Sequence, residues 1–458
     1  MGQILISAAH KSSGKTIVST GICAALQAKQ KIVQPFKKGP DYIDPMWLST
    51  ASKRNCYNLD FWTQSHQEII ELFSHHSASA DISIIEANKG LYDGLDLDGS
   101  NSNAALAKLL DASVVLVLDC RGTIRGIAPL LLGYQTFDPE VNIQGVILNF
   151  VGGTRHEGKL RKVVEHYTDL KVLGAIQRDA ALTLEERHLG LIPSNELEKA
   201  QQKTQQLGEI ISSQVDLDKL LAIASPVIPH SPIKNADVAN YPVKIAYAKD
   251  AAFGFYYADD LDTFKKLGAE LIPFNTLKDT SLPTADGLFI GGGFPENRLK
   301  ELEANQSLRL DILNSLQNGM PAYAECGGLM YLAKTIHNND QHAKMVGLID
   351  ADSIMNSSPQ GRGYIQFTEN TESLWDSKHD HVINAHEFHY SHLENINTKY
   401  LFTYDIQRGQ GIIHQQDGIR IHNTIACYAH QRHSKQNPWI ARFLDFVQKN
   451  KRNDAPSV

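Results

Sequence analysis

The sequence predicts an α/β protein of more than one domain, with a parallel sheet in its first half. Three observations predict it. Continuous apolar runs recur at 3–8, 81–85, 113–118 and 145–150 with helical patterns between them, as expected of strands buried on both faces. A loop rich in small residues and lysine follows the first run. After a proline-bearing stretch a fresh apolar run opens at 244 and starts a second series. A chain of 458 residues suits two or three domains of roughly 100–200 residues each.

Composition narrows the function. Hydrophobic residues at 42% and charged residues at 21% describe an ordinary globular chain. A net charge of −7 argues against nucleic acid or a membrane surface as the main partner. The five cysteines, Cys23, Cys56, Cys120, Cys326 and Cys427, lack CxxC spacing, which favours a reducing compartment over disulfides or thiolate zinc. With no leader pattern and no uncharged run of about 18 residues, the expected location is cytoplasmic.

The first strand, 3–8, runs into Ala9-His10-Lys11-Ser12-Ser13-Gly14-Lys15-Thr16 and then a helical pattern to Ala28. This is a phosphate-binding loop with Ala9 in place of the first glycine. Ser12, Ser13 and Gly14 would cradle phosphate oxygens, Lys15 would reach the β- and γ-phosphates of ATP, and Thr16 would ligate Mg²⁺. Lys11 offers a second cation. The next strand, 31–36, ends in Lys37-Lys38-Gly39-Pro40-Asp41-Tyr42-Ile43-Asp44-Pro45. Two carboxylates three residues apart beside two lysines suit a metal and phosphate site better than a plain turn. The strand at 81–85 leads into Glu86-Ala87-Asn88-Lys89-Gly90-Leu91-Tyr92-Asp93-Gly94, where a strand-end acid is a usual metal-side carboxylate. Thr16, Asp41 and Glu86 are the expected Mg²⁺ ligands, with Lys37 and Tyr42 at the nucleotide. Asn149, at the end of the strand 145–150, would read the adenine edge or form a turn. One more strand is expected at 171–176.

Prolines 226, 229, 232 and 242 mark a linker. In the second half, 322–325 reads as a strand delivering Cys326 to Gly327-Gly328 and a helical run. A lone cysteine is more often a small buried apolar residue. Here the turn resembles a nucleophile elbow, with a helix N-terminus favouring the thiolate. Upstream, Gly291-Gly292-Gly293-Phe294-Pro295-Glu296 could supply N–H groups to an oxyanion hole with Gly327. Downstream, Cys427-Tyr428-Ala429-His430 brings a base.

The order of glycine loop, cysteine elbow and histidine is similar to that of class I (triad-type) glutamine amidotransferase domains. That resemblance implies acyl transfer from L-glutamine to Cys326 with release of ammonia. Many such domains carry a glutamate two residues beyond the histidine; Arg432 stands there, which leaves open what orients His430. The pair His386 and His389 with Glu387 offers too few ligands for a metal site.

Taken together, Lys38-Gly39-Pro40-Asp41-Tyr42-Ile43-Asp44-Pro45, Gly90-Leu91-Tyr92-Asp93-Gly94, Arg187-His188-Leu189-Gly190-Leu191, Gly292-Gly293-Phe294-Pro295-Glu296 and His386-Glu387-Phe388-His389-Tyr390-Ser391 closely resemble the cobyrinate a,c-diamide synthase family. The resemblance covers nearly the whole chain. It implies a dethiobiotin-synthetase-like domain joined to the amidotransferase domain, and amidation of two acetate side chains of a tetrapyrrole with ATP, Mg²⁺ and glutamine. It assigns the synthetase site to Asp41, Tyr42, Asp44, Glu86 and Asp93, and the nucleophile to Cys326. Ala87-Asn88-Lys89 departs from the small and apolar residues usual there, which resembles a branch acting on sirohydrochlorin or sirohaem; nickel-sirohydrochlorin is a third acceptor. The expected domains are a synthetase at 1–225, a linker at 226–242, an amidotransferase at 243–450 and a polar tail at 451–458, with a homodimer allowed. A phosphate-loop ATPase that only binds a partner is the rival reading, and it leaves Cys326 and His430 without a role.

Overall fold

The computed structural model describes residues 1–182, 186–187, 190–197, 199–228, 239–375 and 381–451. The middle of the expected linker (229–238), His188 and Leu189, and the tail beyond 451 lie outside them. The chain divides into two compact units, Met1–Ile233 and Lys234–Val458.

In the first unit, strands β1 (Gly2–Ala8), β2 (Val33–Lys38), β3 (Tyr57–Leu59), β4 (Ile82–Glu86), β5 (Ser113–Asp119), β6 (Ile143–Val151) and β7 (Lys171–Gln177) lie in the order β3-β2-β4-β1-β5-β6-β7. Each neighbouring pair along this path is parallel, and Ser225–Pro226 pairs antiparallel to β1. The central strands are buried almost throughout, which is why they read as unbroken apolar runs. Helix α1 (Lys15–Ala28) starts directly after the loop that leaves β1. Gly14, at its N-cap, has φ +83°, a left-handed conformation that glycine adopts without a Cβ clash. Helix α2 (Ile43–Ser52) follows β2, and Trp47 and Leu48 pack with Val18 and Ile22 of α1, Leu207 and Ile211 in one apolar core.

Register assembles the first site. Glu86 pairs with Ile6 of β1 and with Lys37 of β2, so the carboxyl ends of three adjacent strands finish together. That is where open α/β sheets bind ligands.

The second unit is built on a nine-stranded sheet. Its parallel half runs Glu270–Phe274, Lys244–Ala248, Gly287–Ile290, Ala322–Glu325 and Thr424–Cys427, and antiparallel strands continue it through Gln416–Ile421, Leu401–Arg408, Gly361–Glu369 and Val382–His389. A smaller sheet joins Gln341–Lys344, Ala333–Asn338, Ile349–Met355 and Ser391–Glu394. One face of the large sheet buries Phe264, Phe289, Tyr323, Trp439 and Phe443. Phe253, Phe255 and Tyr257 are also buried. Among the described residues no helix is long and apolar enough to cross a membrane.

Candidate active sites

The phosphate loop is held from several directions. Ser13 Oγ donates to the carbonyl of His10 at 2.8 Å, Tyr134 Oη to that of Ala9 at 2.6 Å, and Asn149 Nδ2 to that of Ser13 at 2.8 Å. Asn149 thus supports the loop with the amide that the sequence reading set against adenine. Lys15 is buried; burial first, and Lys37 second, lower its pKa to about 8 against the pull of Glu86, Asp44 and Asp93. Lys11 and Ser12 are exposed, and Ser12 carries φ +65°.

Behind the loop, Thr16 Oγ1 donates to Glu86 Oε1 at 2.7 Å and lies 3.3 Å from Asp44 Oδ2. Lys37, expected at the nucleotide, is instead engaged by carboxylates: its Nζ is 2.5 Å from Asp44, 2.9 Å from Glu86 and 3.7 Å from Asp41. The reason is its full burial beside three acids, which demands local pairing. Asp41 Oδ1 accepts from the N–H groups of Ile43 and Asp44 and so ties down the first turn of α2. Asp44 therefore stands next to Thr16 and Glu86, in the place the sequence reading gave to Asp41. Tyr42 is buried at the start of α2. Asp93 Oδ2 accepts from Gly90 N at 2.9 Å, and Asn103 Nδ2 donates to Gly90 O at 2.6 Å, so both brace the turn after β4.

The residues fit a divalent cation. Glu86 Oε2 is buried without a hydrogen-bond partner, an arrangement costly unless a ligand completes it. Burial, offset in part by Lys37, pushes Glu86 up to about 7, and burial with Asp44 pushes Asp41 up to about 6. Burial would raise Asp44 too, but Lys37 overrides it and holds that carboxyl below its ordinary value. Among the described residues no three His, Cys, Asp or Glu side chains are grouped to enclose a metal, so phosphate and water would supply the remaining oxygens, as Mg²⁺ prefers.

In the second unit, Cys326 ends the strand Ala322–Glu325 with φ +49° and ψ −101°. Its N–H bonds the carbonyl of Cys427 at 2.7 Å. The helix that follows, Gly327–Leu332, has only six residues, too short for much dipole support. The ring of His430 hydrogen-bonds Cys326. Burial would lower the histidine, yet Cys326 and Glu325 outweigh it and raise His430 to about 10. A Cβ on Gly292 would sit 2.7 Å from His430 Cε1, and one on Gly327 would sit 2.9 Å from Gly293 N. Glycine at 292 and 327 is what lets loop, thiol and imidazole close on one another. Gly291 N donates to Tyr256 Oη, so its N–H is already engaged.

Near His430, Glu325 and Tyr257 were given no part in the site by the sequence, and His386 was weighed there only as a metal ligand. Glu325 Oε2 lies 3.5 Å from His430 Nδ1. His386 stacks on His430 at 4.8 Å between centroids and 13° between planes, and the two backbones form an antiparallel bridge. Burial, with His430 and Arg432, lowers His386 well below its ordinary value. Tyr257 Oη lies 3.2 Å from His386 Nδ1. Arg432, two residues past the histidine, faces away to Asp259 with two hydrogen bonds of 3.0 and 2.8 Å.

Residues 244–438 match the CobB/CobQ-like glutamine amidotransferase domain, and residues 2–186 match an AAA domain. A cobyrinate a,c-diamide synthase of Magnetococcus marinus is 42% identical over 452 residues, covering 96% of this chain and 97% of that one. The chain belongs to the cobyrinate a,c-diamide synthase family. Relatives of the same name from Listeria innocua and Methanococcus vannielii are each 40% identical over 96% and 97% of the chain. As a member of this family the protein is an amide-forming ligase, with a phosphate-loop domain and a glutamine amidotransferase domain of α/β architecture. The rival reading as a bare partner-binding ATPase is set aside by the matched amidotransferase domain.

Proposed function

We propose that this enzyme converts acetate side chains of a tetrapyrrole to amides at the expense of ATP and glutamine. The observation that carries the reading is the pairing, on one chain of this family, of the Cys326–His430 site with the phosphate loop at Gly14-Lys15-Thr16. In the amidotransferase unit, Cys326 Sγ gives its proton to His430 and attacks the glutamine amide carbon. The oxyanion is received by N–H groups among Gly292, Gly293 and Gly327. His430 returns the proton to the leaving ammonia, and water frees glutamate from the thioester.

In the synthetase unit, Lys15 and the loop N–H groups hold the ATP phosphates. The acceptor carboxylate takes the γ-phosphoryl group, and ammonia displaces phosphate from the acyl phosphate to give the amide. Mg²⁺, held by Thr16, Asp44 and Glu86, would supply charge neutralisation at the phosphates. Lys37 holds Asp44 in its ionised form and pairs with Glu86.

For the acceptor, the relatives' name supports a corrinoid. Ala87-Asn88-Lys89 supports a second reading. Burial lowers Lys38 to about 8, with Asp60 opposing and exposed Lys89 adding to the fall; a lysine at 89 beside Lys38 suits a ring with a different carboxylate pattern, such as sirohydrochlorin. The decisive experiment incubates the enzyme with ATP, glutamine and either cobyrinic acid or sirohydrochlorin and scores one or two amidations by mass spectrometry. Cys326→Ala should abolish the glutamine-supported product and keep the ammonia-supported one. Full glutamine-dependent activity in that variant would overturn the nucleophile assignment.

A further inference from the structure

The amidotransferase unit lacks a carboxylate at the usual distance in sequence beyond its histidine, and a different acid stands at the ring. We propose that Glu325 is the positioning residue of this site, holding His430 through Nδ1 so that the other ring nitrogen addresses Cys326. The inference rests on the reading of Cys326 and His430 as the glutamine-cleaving pair.

Four observations support it. Glu325 Oε2 is 3.5 Å from His430 Nδ1, and both side chains are almost wholly buried. Glu325 Oε1 accepts the backbone N–H of Gln431 at 2.9 Å, so the carboxylate is anchored to the residue next to the one it serves. Other acids near the histidine strand are spent elsewhere: Asp259 on Arg432, Asp417 on the N–H groups of Gly418, Tyr428 and Ala429, and Glu387 on those of Gln410 and Gly411. Finally, consecutive residues of a strand point to opposite faces, which would normally prevent Glu325 and Cys326 from meeting one partner. The positive φ of Cys326 breaks that alternation, and the two neighbours reach the same imidazole.

The groups facing His430 are Cys326 and Glu325 from one strand end, His386 stacked on its ring, and Arg432 with Tyr257 behind His386. Glu325 and the Cys326 thiolate favour the imidazolium; His386 and Arg432 add no negative charge. Removing the Glu325 charge therefore lowers the pH at which the imidazolium loses its proton, and releases the ring's orientation.

The test compares Glu325→Gln with wild type in glutamate release from glutamine across pH. The amide oxygen can still accept from Gln431 N–H, so the fold has little reason to change. We expect kcat to fall by about 10- to 10³-fold with KM for glutamine within about twofold. The alkaline limb should move at least about one unit to lower pH, and Glu325→Asp should restore part of the rate. An unchanged alkaline limb with kcat within about twofold of wild type overturns the inference. Should Glu325→Gln fail to fold, Glu325→Ser, which also removes the charge, carries the same profile: a displaced alkaline limb supports positioning and an undisturbed one refutes it. Cys326→Ala is run in parallel. If it still releases glutamate, the underlying reading fails; if it is inert while Glu325→Gln is normal, only the positioning role fails.

Discussion

The side-chain amide of Asn149 donates to the backbone carbonyl of Ser13 over 2.8 Å and 136 residues of sequence. It spans from the end of β6 to the loop after β1, and its Nδ2 also fills the space a Cβ on Gly14 would need. Asn149→Ala should raise KM for ATP severalfold and lower stability by about 1 kcal/mol. Steady-state kinetics with ammonia as nitrogen source and urea unfolding read the two effects; unaltered KM would limit Asn149 to packing.

Lys37 is a buried ammonium among Asp41, Asp44 and Glu86. Lys37→Met should cost about 3–5 kcal/mol, because the acids stay behind without their counter-charge. The pH sign follows from Glu86, whose carboxyl is raised by burial to about 7. Its contribution to stability is present below the ordinary carboxylate range and is lost as pH rises through 7. Lys37→Met removes the opposing cation, so the variant should recover stability towards acid more steeply than wild type. Unfolding midpoints between pH 5 and 8 settle it.

ATP binding should take up a proton near pH 8. Lys15 is lowered to about 8 by burial and Lys37, and an arriving phosphate favours its charged form. Affinity therefore declines as pH rises past 8. Titration calorimetry at that pH, with a chelator present and in buffers of different ionisation enthalpy, reports the uptake; a buffer-independent heat would count against Lys15.

Gly292→Ala would thrust a methyl group to 2.7 Å from His430 Cε1. A displacement of this size should reduce glutamine-dependent turnover about 10²-fold, with ammonia-dependent turnover preserved. Equal loss of both activities would point to misfolding instead.

Arg432→Glu restores the sequence spacing seen in many amidotransferase domains and should still fail as a repair. The native guanidinium is buried, bonded to Asp259 and packed over Tyr257, so a glutamate there meets a carboxylate. We expect a loss of about 3–5 kcal/mol with no gain in glutamine cleavage; a more active variant would contradict the geometry.

The features legible in the sequence were those written in consecutive residues. The phosphate loop, the glycine run, Cys326 and His430 each sit at a strand end whose apolar run announces it. Side chains that act across the fold left no such trace: Tyr134 reaches Ala9 from 125 positions away, and its identity alone suggests only a helix face. Asp41 and Asp44 could not be ranked by spacing, since either can point inward from a turn until the cap of α2 is known. Glu325 was hidden for a different reason. Beside Cys326 in an extended run it should face the other way, and only the backbone angle at the cysteine brings it round.

That angle has a lasting consequence for the molecule. A non-glycine residue held at φ +49° carries about 1–3 kcal/mol of local strain, and a glycine at 326 would relieve much of it. Sequence drift or engineering guided by thermal robustness alone would thus favour an exchange that, on the proposed role of Cys326, silences nitrogen delivery. If Cys326 is the nucleophile proposed above, durability and usefulness pull in opposite directions at this one backbone position.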